Sequence, residues 1–597
     1  MLIGSSRASV PALQSAGREQ LACRPAALAR GASARRATAG RALPPLRPGH
    51  SSSAARRWRV AARAAVASEP SLHAPAAGRQ GAAPPTGPAT GFRAVVIGSG
   101  VAGLAAARVL SDYFDEVLLL ERDGTLIAAP DADAAAATAA PQGERGAAQL
   151  LPLADAARAV DALRRGVPQW SQPHVMLTRG LQELEALFPG FRSEMVGAGA
   201  CQVETPRDWS IYDGRMGGAV EHDYSVFEML TATRCLVETA LRLRVARDCA
   251  NVTPFSGALV EGLALGKGDG GGAPRVEGVV LRGGATLLAD LVVDASGRGS
   301  KTPEWLAAAG LAAPPTVTVD SHLVYTSAVY ELDTGVLARG KRCGMVYVNP
   351  PESRSGLLLP IEGGRHHMIL AGRGSEVCAA TDDAVTAFVD TLPSPVLSDL
   401  LRGAKRVSDI RQYERTANFR RKYEEIDLPG GLAVMGDGVC AFNPIYGQGM
   451  SVAVLEAVDL GRRIAAALPP RPAAAAAAEP DAAWLSAARG ALPRATAGFM
   501  RGIGGVVAVP WALATGSDAP YVAGFERTPV ETAVNDVFVE VGRLSRTDRK
   551  VHATLMRVVH MLEEPTALVA PGMLLKLLVD RVRRALGRGG DGAKTAA

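Results

Sequence analysis

Apolar and polar positions along the chain fall into two textures. From Phe92 onward, unbroken apolar runs alternate with helical stretches. Ala94-Val95-Val96-Ile97 precedes a helical segment Leu104 to Tyr113 and a second run, Glu116-Val117-Leu118-Leu119-Leu120. Leu291-Val292-Val293 and Leu432-Ala433-Val434-Met435 are further runs, the latter followed by a helix from about Ser451 to Leu468. Short segments that are apolar on both faces predict central strands of a parallel sheet covered by helices. Residues 316–424 differ. His322 to Tyr330, Gly344 to Val348, Gly356 to Ile361 and His366 to Leu370 are β-prone, with turn signals between them, and Asp382 to Leu401 is helical. Beyond Pro480 the pattern is mainly helical. The chain is thus expected to form a doubly wound α/β domain (91–315 and 425–470), a β-rich domain (316–424) and a helical C-terminal region (480–597).

The turns that punctuate this pattern carry the chemistry. Between the first two strands lies Gly98-Ser99-Gly100-Val101-Ala102-Gly103, and the second strand ends in Glu121-Arg122. This is a complete dinucleotide-binding βαβ fingerprint: Gly98 for the tight turn, Gly100 for close approach of a pyrophosphate, Gly103 for helix–strand packing. The helix N-terminus, with Val101 and Ala102, offers unpaired N–H groups to phosphates. Glu121 is placed to accept from a ribose, and its carboxylate disfavours NADP there. FAD and NAD remain open from this unit alone. A second strand-turn-helix, Gly431 to Met450, places Asp437 after its strand, followed by Pro444 and the run Gly447-Gln448-Gly449-Met450. An Asp capping the next helix accounts for Asp437, but not for the Pro-x-x-Gly-x-Gly run. A carboxylate there suits a polyol, and the amides at 447–450 suit an edge that gains negative charge.

The two motifs together resemble the single-component FAD-dependent monooxygenases: aromatic hydroxylases, polyprenyl-phenol hydroxylases and squalene epoxidase. The likeness runs from about Phe92 to Leu468, with a looser match at Pro510 to Asp518. It implies FAD in a Rossmann-type domain, with Asp437 on the ribityl chain and the 447–450 amides near the isoalloxazine. It also implies NAD(P)H as electron donor, and O2 activated as a flavin C4a-hydroperoxide that oxidises a lipophilic aromatic or polyene substrate. Arg234 matches the arginine that reaches the FAD phosphates, and Arg164 to Gln169, His174 and Thr178 to Leu181 match a stretch beside the flavin. Where the family has Asp-Gly, this chain has Ser296-Gly297, with Asp294 two residues earlier, which unsettles the source of reducing equivalents. An FAD-dependent reductase, desaturase or cyclase acting on an isoprenoid is the alternative. A non-catalytic nucleotide-fold escort protein is a third reading. The W-x-W-x-I-P segment of flavin halogenases is absent. No catalytic acid or base is assigned.

Charge refines this picture. The 597 residues carry a formal +6, yet residues 1–90 hold 13 Arg, no Lys and only Glu19 and Glu69, a net of +11. The remainder is therefore mildly acidic, and bulk charge gives no case for nucleic acid. The first 90 residues, rich in Ala, Arg and Ser, read as a transit peptide and linker, for the chloroplast or alternatively the mitochondrion. Seven scattered cysteines lack a C-x-x-C pair, and His366-His367 on one strand face opposite ways, so no metal site is expected. The apolar stretch Gly502 to Gly516, interrupted by Pro510, is too short to span a bilayer. His322, Tyr325 and Tyr330 are candidates for a substrate pocket or for sheet packing. Arg411, Tyr413, Arg415, Arg420 and Arg421 form either an anion site or a solvated edge. Met573 to Leu586, apolar and basic together, is suited to peripheral membrane contact or to packing on the body.

Overall fold

A computed structural model describes residues 91–123, 172–220, 222–268, 272–337, 340–348, 350–470, 481–525 and 529–591. All of these belong to one compact unit, Ala74–Ala597. The readings on residues 1–90 and on Arg164 to Gln169 lie outside the described residues.

Five parallel strands form the central sheet: β1 (Arg93–Ile97), β2 (Glu116–Glu121), β3 (Val252–Ser256), β4 (Leu291–Asp294) and β5 (Leu432–Val434). Their order is β5-β4-β1-β2-β3. Every residue of β1, β4 and β5 is buried, as the unbroken apolar runs require. Helices α1 (Val101–Leu110), α2 (Thr178–Leu187), α3 (Arg234–Asp248) and α4 (Gly449–Ala467) complete the α/β domain. Close approach of α4 to α1 depends on Gly461, where a Cβ would lie 2.2 Å from Val109 Cγ1. Ile97 pairs with Asp294, and Asp294 with Val434. This register sets the loops after β1, β4 and β5 side by side at the carboxyl edge, where open α/β sheets bind their ligands.

A second, eight-stranded sheet is built around Leu323–Glu331, Arg365–Arg373, Ser355–Ile361 and Cys343–Tyr347. One face packs on helices Asp382–Asp390 and Val396–Leu401 through Val346, Leu358, Met368, Phe388 and Leu397. The sheet also recruits Trp209–Asp213, parallel to Cys343–Tyr347, and Gly218–Val220. Those strands fall inside the span that the sequence assigned to the nucleotide domain. Their pairing joins segments more than a hundred residues apart, and no local pattern announces it.

The C-terminal region is helical: α5 (Ala482–Asp518), α6 (Pro529–Ser545), α7 (Arg549–Val559) and α8 (Pro571–Asp591). The apolar stretch Gly502 to Gly516, expected to be too short to span a bilayer, is part of a longer helix, which runs 37 residues through both Pro493 and Pro510. By length and composition that helix is apolar enough to cross a membrane, and its Leu492, Phe499, Ile503 and Val507 belong to the main core. Tertiary contacts on both sides of each proline hold the segment helical despite the missing donor. The six described cysteines are free, five of them buried, and the described residues contain no cluster of metal-ligating side chains.

Candidate functional site

The glycine loop after β1 is shaped by two steric demands. Gly98 has φ +96°, and a Cβ there would lie 2.7 Å from the Ala295 carbonyl oxygen. A Cβ on Gly103 would lie 1.8 Å from the Gly98 carbonyl oxygen. Gly100 is different: the nearest atom to its would-be Cβ is Arg234 Nη2, at 3.6 Å. Its face is open, and a guanidinium borders the opening. No side chain caps α1, so the first-turn N–H groups of Val101, Ala102 and Gly103 are left for a ligand.

Buried Glu121 accepts from the Ser99 N–H at 3.0 Å and Ser99 Oγ at 2.7 Å through Oε2, and from the Asp123 N–H at 3.1 Å through Oε1. Arg122 beside it is exposed. Arg234 opens α3 and donates Nε to Glu238 at 3.0 Å. The other oxygen of Glu238, which is fully buried, accepts from Arg242 at 2.5 Å. Arg242 in turn donates to the Ser99 carbonyl and hydroxyl, at 3.1 and 3.2 Å. A charged ladder thus fixes the glycine loop to α3. Sequence reasoning found Arg234 but missed Glu238 and Arg242, although their four-residue spacing puts all three on one helix face.

The second motif meets the first directly. Gly436 has φ +63°, and a Cβ there would stand 2.9 Å from the Ala102 Cβ. Its N–H donates to Glu456 of α4 at 2.5 Å. Burial pushes the Glu456 carboxyl up to about 8. Asp437, one-third exposed, lies with Oδ2 3.7 Å from Arg298 Nε and Oδ1 3.8 Å from the Cβ direction of Gly449. It therefore sits over the amino end of α4, which no side chain caps. Pro444 is exposed, Gly447 adopts φ +63°, and Met450 is buried. Buried Gln448 Oε1 has no hydrogen-bond donor among the described residues.

Asp294 is committed elsewhere. It accepts from the Ser296 N–H at 2.9 Å, and from the hydroxyls of Ser296, Ser300 and Thr302 at 2.5 Å each. With four donors it organises the turn after β4. Ser296 folds back onto it and supplies no replacement carboxylate.

A cavity of about 280 Å³ opens on the far side of the Pro444–Tyr446 turn, with Ile445, Tyr446, Tyr347, Tyr521, Phe538 and Leu323 in its wall. Two arginines also face it. Arg215 forms a bidentate pair with Asp213, at 3.1 and 2.7 Å, and lies 4.7 Å from the Tyr347 ring centre. Arg373 pairs with Asp518 at 3.0 Å and lies 3.8 Å from the Tyr521 ring centre. Asp518 also accepts from Tyr446, Asn418 and Asn443. Tyr325 donates to Asn443 and accepts from the Ile445 N–H at 3.0 Å.

Of the sequence candidates, then, Tyr325 braces the turn from behind. Tyr330 belongs to the core on the other face of the sheet, and His322 is exposed. Their faces depend on register, which periodicity left open. The basic stretch divides likewise. Arg420 pairs with Glu424, Arg421 donates to the Gly438 carbonyl at 2.8 Å, and Arg411 and Arg415 are exposed. His174 is held by the Gln172 carbonyl at 3.0 Å, and burial next to Arg234 pushes it down to about 3.

No family model matches the chain. Over 386 residues it is 31% identical to Protein Rv3254 of Mycobacterium tuberculosis (strain ATCC 25618 / H37Rv), spanning 62% of this chain and 73% of that protein. The chain belongs to the family of that mycobacterial protein. Among solved structures, the flavin-dependent brominase Bmp2 aligns over 83% of this chain and 100% of its own, with a TM-score of 0.51 at 14% identity. A 2-methyl-3-hydroxypyridine-5-carboxylic acid oxygenase aligns over 77% of this chain and 99% of its own, with a TM-score of 0.46 at 17% identity. The chain shares the fold of that flavin-dependent brominase. The residues present suit FAD. The open face at Gly100, two uncapped helix N-termini and the orphaned Gln448 oxygen are the features an extended dinucleotide would complete.

Proposed function

We propose that this protein is an FAD-dependent monooxygenase that inserts one oxygen atom of O2 into a lipophilic aromatic or polyene substrate. The Pro444–Gly449 turn carries this reading, because it serves two sites at once. Toward the sheet, Asp437 and the amino end of α4 close the dinucleotide groove. Toward the β-rich domain, Ile445 and Tyr446 form part of the cavity wall.

Bound FAD would supply the redox and oxygen-activating chemistry. The chain's own work is to hold, polarise and shield. Arg234 and the first turn of α1 hold phosphates, Glu121 meets ribose hydroxyls, and Asp437 meets the polyol. The N–H groups of residues 447–450 stabilise negative charge at the amino end of α4. Tyr347, Tyr446, Tyr521 and Phe538 give the cavity an aromatic wall that excludes water and suits planar rings. Arg215 and Arg373 are each neutralised by a carboxylate, which favours an uncharged substrate over an acid. NADH or NADPH is the reductant this reading calls for. The arginine-rich, acid-poor first 90 residues support delivery to an organelle, the plastid before the mitochondrion.

Anaerobic reduction of the FAD-loaded protein by NADH or NADPH, followed by isotope-labelled O2 and a trial quinol or polyene, tests the reading. Label in the product supports it. Conversion of the trial compound by reduction, desaturation or cyclisation without incorporation of label makes the protein a reductase, desaturase or cyclase respectively. A chain that binds no FAD leaves only the escort role.

A further inference from the structure

Among the described residues, α8 keeps its apolar surface uncovered. Ten large hydrophobic side chains are exposed among the described residues, and six of them lie here: Leu574, Leu575, Leu578, Val579, Val582 and Leu586. Leu575, Leu578 and Leu586 are 62%, 59% and 73% exposed. The spacings of three and four residues gather them into one stripe. Met573 and Leu577 instead join the core formed by α6 and α7. Arg584 pairs with Glu540 of α6 at 2.6 Å, and Lys576 pairs with Asp548. The helix is therefore anchored by one edge and bare along another.

Charge says what covers it. Residues 571–591 hold five basic and two acidic residues, against a net-acidic remainder beyond residue 90. Arg581 and Arg583 are exposed on α8 itself, beside the leucine stripe, whereas Arg557 of α7 pairs with Glu563 at 3.4 Å and Arg549 lies 3.9 Å from the Tyr224 ring centre. A second copy of the α8 face would set Arg581 and Arg583 against their own counterparts. A span is excluded by the charged residues within the helix.

We propose that α8 docks the protein on a bilayer surface bearing anionic lipids, its leucine stripe entering the headgroup–acyl boundary and its arginines meeting the headgroups. The site lies close to the cavity: α6, tied to α8 through Glu540, contributes Asn535, Phe538 and Val539 to the cavity wall. A membrane-dissolved substrate thus has a short path past α6. That last step rests on the oxygenase reading, whereas the docking does not.

Flotation of the full-length protein with vesicles of phosphatidylcholine alone, or mixed with phosphatidylglycerol, tests the surface. The wild type is expected to float with the mixed vesicles. L575E/L578E lowers that binding about tenfold or more, with thermal midpoint and flavin content unchanged because both side chains are exposed. R581Q/R583Q lowers binding to the mixed vesicles about tenfold and leaves any binding to phosphatidylcholine unaltered. Undiminished binding of L575E/L578E would assign attachment to another region, such as the basic N-terminal segment, and overturn the proposal. So would absence of binding to either vesicle, or a wild-type dimer that L575E/L578E turns into a monomer. Flavin loss in the wild type bears on the oxygenase reading alone.

Discussion

Asp518, the last residue of α5, and Arg373, at the end of its strand, meet at 3.0 Å across 145 residues of chain. The same carboxylate, 1% exposed, accepts from Asn418 at 2.7 Å, Asn443 at 3.0 Å and Tyr446 at 3.2 Å. One tail residue therefore pins the β-rich sheet to the turn between groove and cavity. Asp518→Ala strands a guanidinium and three polar groups, and should cost about 3–5 kcal/mol. Asp518→Asn, which keeps one acceptor, should cost less. Urea unfolding measures both, and a loss under about 1 kcal/mol in the alanine variant would remove the clamp from this account.

Two glycines of one motif should fail differently. Gly103→Ala drives a methyl into the Gly98 carbonyl, 1.8 Å away, and should prevent stable folding. Gly100→Ala meets nothing nearer than 3.6 Å. It should fold normally yet lose dinucleotide, because the methyl occupies the open face. Circular dichroism and bound-flavin absorbance separate the two outcomes. Equal flavin content in Gly100→Ala and wild type would sink the assignment of that face.

Arg234→Gln should weaken FAD binding about tenfold or more, the usual size for losing a charge-assisted phosphate contact. Arg234→Lys should recover part of that loss, because it restores charge without the fork. Flavin fluorescence on dilution reads the dissociation constant. If the glutamine variant binds as tightly as wild type, Arg234 serves only its Glu238 pair.

Glu456 sets an alkaline slope. Its carboxyl titrates near 8 in the folded chain against 4.5 ordinarily, chiefly through burial. Between those values the folded state holds a proton that the unfolded state has released. Its contribution to stability should therefore fall as pH rises through this window, by up to ~1.4 kcal/mol per pH unit, and between pH 7 and 8 it stands clear of histidine titration. Glu456→Gln should remove that fall. Denaturant midpoints at pH 7 and 8 provide the check, and identical changes in both proteins would contradict it.

The acid side belongs to five histidines. His174, His367, His552 and His560 are pushed down to about 3, and His366 to about 4, in each case first by burial. Below an ordinary value of 6.5 the unfolded chain gains protons that the folded chain refuses. Stability should be complete above that pH and drop steeply below it. Proton uptake on unfolding at pH 5, measured by calorimetry in two buffers, should come to several per molecule. Uptake near zero would mean that these imidazoles are solvated.

Both glycine motifs, the strand that precedes each and the acids at 121 and 437 could be read from the sequence alone. Their chemistry is local: a turn that needs φ > 0 or a missing Cβ must carry glycine, and a strand buried on both faces must be apolar throughout. The resemblance at Pro510 to Asp518 marked the tail without showing what Asp518 binds. The tertiary structure alone decided that Gly436 lies against Ala102, that Trp209–Asp213 joins the distant sheet, and that Tyr325 rather than His322 reaches the turn. It also drew Glu238, Arg242 and Glu456 into the site and left the α8 stripe bare. These are contacts between segments far apart in the chain. Composition and periodicity describe what one segment needs, whereas the pairing of two segments is set by register and by the packing of the whole.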